Sequence, residues 1–130
     1  MTAFIFVVDD HPVNLKLACD VLEFEGYRVG RAVDAEEAQE ILQHTVPDLI
    51  LMDIALPGMD GLTLTRKLKA DPRLQHVPVI ALTAFAMKGD DRKALEAGCD
   101  GYITKPIDTR RLGEQVAGFL RAATERGNVH

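Results

Sequence analysis

Asp9, Asp10, Asp53, Thr83 and Lys105 each close an apolar run or directly follow one, and their side chains could together carry one reaction. Any one of them alone would be an ordinary polar strand end. If the runs end on a common rim, three carboxylates gather there, and each close pair repels by ~4 kcal/mol at an effective dielectric near 20. Such a group needs a cation. An all-oxygen donor set with room for water suits Mg2+, with Mn2+ as a substitute, whereas zinc would want His or Cys. Asp10 and Asp53 would hold the ion, with Asp9 acting through water. The ion would screen an incoming phosphoryl group, whose charge Lys105 and the Thr83 hydroxyl also offset. Asp53 needs no general base, because the attacking atom is already a carboxylate oxygen, and the product is an aspartyl phosphate.

The elements that would position these groups are legible in order. Phe4 to Val8 is a β-rich apolar run ending at Asp9-Asp10. From Pro12 the period changes, with Leu15, Ala18, Cys19 and Leu22 on one helical face and Gly26 as a stop. Residues 27–32 alternate polar and apolar as an edge strand does. Asp34 with Glu37 resembles a capping box ahead of Ala38, Ile41 and Leu42, a helix that Pro47 is expected to break. Leu49 to Met52 is wholly apolar, so it reads as a strand buried on both faces, with Asp53 at its carboxyl end. Leu64 and Leu68 mark a third helix ending before Asp71-Pro72; Val77 to Leu82 reads as a strand ending at Thr83; residues 90–97 form a helix capped by Gly98. Gly101 to Ile103 is a short fifth strand, and a last helix opens at Asp108 with Leu112, Val116, Phe119 and Ala123 on its buried face.

Strands alternating with helices imply right-handed βαβ crossovers and a doubly wound α/β fold, a parallel five-stranded sheet with helices on both faces. The order 2-1-3-4-5 places the half-polar second strand at an edge and the two apolar strands in the centre. Asp9-Asp10, Asp53, Thr83 and Lys105 then converge at the switch point. One domain over residues 1–124 with a flexible tail over 125–130 is expected.

The acidic pair after the first strand, Asp53 running into Pro57-Gly58-Met59-Asp60-Gly61, Thr83-Ala84 and Lys105-Pro106 resemble the signature of bacterial response-regulator receiver domains, a CheY-like (βα)5 family, over almost the whole chain. Residues 83–90 and Gly98-Cys99 are most similar to stand-alone receivers of the DivK type and to receivers fused to hybrid kinases. The resemblance implies Asp53 as phosphoacceptor, Asp9 and Asp10 as metal-binding acids, Ala55 as a metal ligand through its carbonyl, and Thr83 and Lys105 as phosphate contacts. It also implies a cis Lys105-Pro106 bond and Tyr102 as an aromatic switch working with Thr83. Ala55 occupies a position that is often polar in the family, so no family-typical phosphate lifetime is expected to carry over.

The implied function is Mg2+-dependent acceptance of a phosphoryl group from a histidine kinase or histidine phosphotransfer protein, followed by altered contact with a downstream protein target or onward relay. A receiver cut from a hybrid histidine kinase is an alternative. Another is a phosphatase of the haloacid dehalogenase kind, although Asp9-Asp10-His11 is not its DxD. A flavin or nucleotide binder is disfavoured because the first loop would repel phosphate. A receiver fold serving only as an interaction module is disfavoured by the complete acceptor set. Leu17, Val21 and Phe24 form a second apolar set on the first helix, either extra core or a docking stripe for a phosphohistidine-bearing helical bundle. The net charge of −5 over 130 residues disfavours nucleic acid. The composition, 47% hydrophobic and 27% charged, is that of a globular domain, and no apolar run suits a membrane. A cytoplasmic monomer or weak dimer is expected. Cys19 and Cys99 read as buried reduced thiols, and His11, His44, His76 and His130 as solvated side chains, of which His11 alone lies near the rim.

Overall fold

Successive side chains of a strand point to opposite faces of its sheet, and the two central runs divide accordingly. In β1 (Phe4–Val8) Ile5 and Val7 enter one core cluster while Phe6 and Val8 enter the other. In β3 (Leu49–Asp53) Leu49 and Leu51 join the first cluster, Ile50 and Met52 the second. Both faces therefore need a covering layer. The computed structural model describes residues 2–56, 58–83 and 90–127, and helices supply both layers. α1 (Pro12–Phe24) and α5 (Leu112–Gly127) cover the Ile5 face through Leu15, Leu22, Leu112 and Val116. α2 (Ala35–Leu42), α3 (Gly61–Ala70) and α4 (Asp90–Ala97) cover the Phe6 face through Leu42, Leu64, Leu68 and Ala94.

β2 (Arg28–Ala32), β4 (Val79–Thr83) and β5 (Gly101–Thr104) complete a parallel sheet in the order β2-β1-β3-β4-β5, as expected. The register sets the rim. Val8 pairs with Met52, Asp53 with Leu82 and Thr83 with Thr104, so the carboxyl ends of four strands lie within about one residue of a common level.

Local chemistry explains where elements start and stop. The Asp34 carboxylate accepts the Glu37 N–H at 2.8 Å, while Glu37 reaches back to the Val33 N–H at 3.1 Å, a capping box displaced by one residue. Asp60 caps α3 through the Thr63 N–H at 2.7 Å. Four boundaries differ from expectation. α2 stops at Leu42, well short of Pro47, where the Arg73 guanidinium donates to the Leu42 carbonyl at 3.0 Å. β4 begins at Val79, because the Val77 carbonyl is taken by the Lys69 ammonium at 2.8 Å. α5 begins at Leu112, because Asp108 accepts the Arg110 N–H at 2.9 Å and closes a turn first. It then runs to Gly127, so residues 125–127 extend the helix, while 128–130 lie outside the described residues. Among the described residues no helix is long and apolar enough to cross a membrane.

Candidate functional site

Asp53 ends the fully buried strand β3, and its carboxylate is held from two sides. Oδ1 accepts the Ala55 N–H at 2.9 Å, and Oδ2 accepts the Lys105 ammonium at 3.1 Å. The turn after β3 is tight enough that Gly61 is required: a Cβ there would collide with the Asp53 carbonyl. That close approach is what lets α3 start directly beneath the acceptor strand.

Asp9, which follows β1, is as buried as Asp53. Its Oδ1 accepts the His11 N–H at 2.9 Å and its Oδ2 lies 3.0 Å from the Lys105 ammonium. Lys105 thus bridges two carboxylates from neighbouring strands. Burial raises the Asp9 carboxyl above the usual carboxylate range, against the lowering pull of the His11 N–H and of Lys105. Burial alone would lower Lys105, but Asp9 and Asp53 together outweigh it and the ammonium is held above the ordinary lysine range. The Lys105 N–H also donates to the Thr83 carbonyl at 2.7 Å, which ties the lysine to the end of β4, and the Lys105-Pro106 bond is cis, as the resemblance implied. Thr83 itself is buried at the rim.

Single donor atoms of Asp9, Asp10, His11 and Asp53 all lie within 4.8 Å of one another. Asp10 Oδ1 is shielded from solvent without a hydrogen-bond partner. A shielded carboxylate oxygen that makes no hydrogen bond, beside the carboxylates of Asp9 and Asp53, fits a hard divalent cation. A cleft of about 380 Å³ opens over the cluster, lined by His11, Asn14, Asp53, Ala55, Lys105, Pro106 and Ile107.

The structure therefore brings Asp9, Asp10, Asp53, Ala55, Thr83 and Lys105 to one rim. Tyr102, paired through Ala81 in β4, lies outside this cluster with 42% of its surface exposed. Leu17 and Phe24 are solvent-exposed, Phe24 at 91%, so neither is core, while Val21 packs against the α1/α5 cluster. Val13 is also exposed and continues their line, which the sequence reading missed; its spacing four before Leu17 was the available signal. His11, expected as a solvated side chain near the rim, is 68% exposed and stands beside the acidic pair, its Nδ1 3.4 Å from Asp10 Oδ1. Cys19 and Cys99 are buried free thiols. Pro57 and residues 84–89, which carry parts of the family signature, lie outside the described residues.

A parallel sheet wound in this order around an acidic, lysine-bridged cleft defines a CheY-like signalling domain rather than a nucleotide-binding one. The response regulator receiver domain family matches residues 5–117, and the chain belongs to that family. The chain is 45% identical over 120 residues to the polar-differentiation response regulator DivK of Brucella ovis, covering 92% of this chain and 98% of that one. A CheY-like receiver domain protein from Methanospirillum hungatei superposes with a TM-score of 0.88 at 32% identity, covering 97% and 99% of the two chains. The receiver domain of the sensor histidine kinase PA1611 from Pseudomonas aeruginosa gives 0.84 at 35% identity, covering 92% and 98%, and that structure has a magnesium ion coordinated in its active-site cleft. The dehalogenase-like phosphatase alternative is set aside, since the family match and these neighbours are all of receiver type.

Proposed function

We propose that this chain is a phosphorylation-driven switch in which Asp53 accepts a phosphoryl group from the phosphohistidine of a histidine kinase or phosphotransfer protein. The observation that carries the reading is Lys105 bridging Asp9 and Asp53 at 3.0 and 3.1 Å on the rim of an open cleft. An oxygen of Asp53 attacks phosphorus, the bond from phosphorus to the imidazole nitrogen breaks, and the histidine leaves. Asp9, Asp10, Asp53 and the Ala55 carbonyl would hold Mg2+, which when bound supplies a positive charge beside the transferring group. Lys105 exchanges its pairing with free carboxylates for pairing with phosphoryl oxygens, and the Thr83 hydroxyl supplies a further donor. Drawing Thr83 toward the phosphate vacates space that Tyr102 fills by turning inward. This carries the event at the rim to the outer face of β5, where a downstream protein target reads it.

The phosphate donor docks along α1. Pro12 directly follows His11 at the mouth of the cleft, so a helical bundle delivering its histidine passes over Val13, Leu17, Val21 and Phe24. Ala55 is exposed, and its methyl group can neither orient nor obstruct a hydrolytic water by hydrogen bonding. Incubation with acetyl phosphate and Mg2+ tests the reading: an acid-stable, base-labile mass increase is expected that Asp53→Asn abolishes. Absence of the adduct overturns it.

A further inference from the structure

The acid cluster contains one nitrogen donor that a magnesium site does not need. His11 Nδ1 lies 3.4 Å from Asp10 Oδ1 and 3.7 Å from Asp9 Oδ1, on the side of the cluster facing the cleft. Two donors at right angles on a first-row divalent ion with bonds near 2.1 Å stand about 3 Å apart, so the Asp10 and His11 atoms are within a small side-chain rotation of sharing one ion. The backbone beneath the imidazole is held. The His11 N–H is bonded to Asp9, and Pro12 restricts His11 to the extended conformation that it adopts, φ −87° and ψ 111°. The side chain makes no capping bond to α1 and is 68% exposed, so it is free to rotate onto a ligand.

We infer that His11 is a conditional metal ligand, which lets late first-row cations such as Ni2+, Co2+ and Zn2+ occupy the acid site in competition with Mg2+. Imidazole suits these ions and contributes little to magnesium, which prefers oxygen. A carboxylate-only site would favour them through their general affinity order alone; His11 adds a nitrogen bond on top of it. The site then discriminates between metals by which residue it recruits: Mg2+ uses Asp9, Asp10 and Asp53 and leaves the imidazole in solvent, whereas a nickel-class ion closes His11 over the mouth of the cleft. This inference rests on the proposed acid site as a metal site.

Calorimetric titration of Mg2+ and of Ni2+ into the wild-type chain, His11→Gln and Asp53→Asn tests it, with thermal melts to show that each variant is folded. The expected result is a loss of at least tenfold in Ni2+ affinity in His11→Gln with Mg2+ affinity unchanged within twofold. Asp53→Asn should weaken both ions. Cobalt absorption in the visible range provides a second measurement, since loss of a nitrogen ligand changes the band position in His11→Gln. Equal Ni2+ affinity and an unchanged cobalt spectrum overturn the inference while leaving the magnesium site intact. Failure of wild type to bind Mg2+ overturns the proposed metal site and this inference with it.

Discussion

Lys105 is the residue on which the charge balance of the site turns. Its ammonium faces Asp9 and Asp53, and Asp10 adds a third carboxylate to the same rim. Without a metal the cluster is therefore a source of repulsion, and a neutral substitution should relieve it: Asp10→Asn is expected to raise metal-free stability by about 1 kcal/mol and to abolish the rise in melting temperature that Mg2+ produces in the wild type. Thermal denaturation with and without Mg2+ checks both parts. At Cys19, burial holds the thiol above its ordinary range. A raised native value means that the thiol's contribution is fully present below the unfolded thiol's titration and is lost as pH climbs through the native value. Wild-type stability should thus fall from about pH 8.5 upward. Cys19→Ala should lose about 1 kcal/mol at pH 7 but decline less steeply in that alkaline range, as urea unfolding at a series of pH values would show.

Among the elements, α3 is fastened at both ends, its start to the acceptor strand and its end to the far edge of the sheet. At its start Gly61 permits contact with the end of β3, and a methyl group there would press on the Asp53 and Ile54 backbone. Gly61→Ala is expected to cost about 2 kcal/mol in urea unfolding and to slow phosphorylation of Asp53, because the strain falls on the acceptor turn. At its other end Lys69 donates to the Val77 carbonyl at 2.8 Å and to Asp100 Oδ2 at 2.9 Å, and Asp100 Oδ2 accepts the Val79 N–H at 2.9 Å. That half-buried network joins α3 to the starts of β4 and β5. Lys69→Met should cost about 2 kcal/mol by removing the Lys69 hydrogen bonds to Asp100 and to the Val77 carbonyl, with acceptor chemistry retained at temperatures where the variant is folded. On α1, Phe24→Ser removes an exposed ring, so an unchanged melting temperature with slower transfer from a phosphohistidine donor is the expected outcome; a large loss of stability would remove the docking role.

At the scale of the whole molecule, the sheet links the acceptor rim to the outer face of β5. The chain has two tyrosines and no tryptophan, which makes tyrosine emission a direct reporter. Tyr102 has 42% of its surface exposed in this structure. Phosphorylation should protect it from an aqueous quencher, and Thr83→Ala should remove that protection while still permitting some acyl phosphate to form. Protection that persists in Thr83→Ala would break the proposed link between the two residues.

The sequence by itself determined the order of elements, the parallel sheet and the strand ends that carry chemistry, because apolar period and run length are local properties with one economical packing. Leu49 to Met52, a short run with no polar interruption bounded by turn residues, reads as a strand covered on both faces, and that reading puts Asp53 at the rim. The tertiary structure decided what depends on distance between segments remote in sequence. Lys105 bridging Asp9 and Asp53 and the Arg73 cap that ends α2 join atoms tens of residues apart, while the Lys69 anchor at the start of β4 and the need for glycine at position 61 depend on how closely the chain turns back on itself within eight residues. Exposure is the same kind of property: whether Leu17 and Phe24 were core or surface depended on what α5 covers. The position of the His11 imidazole beside the acids also required the fold, since adjacency in sequence does not say which way a side chain turns.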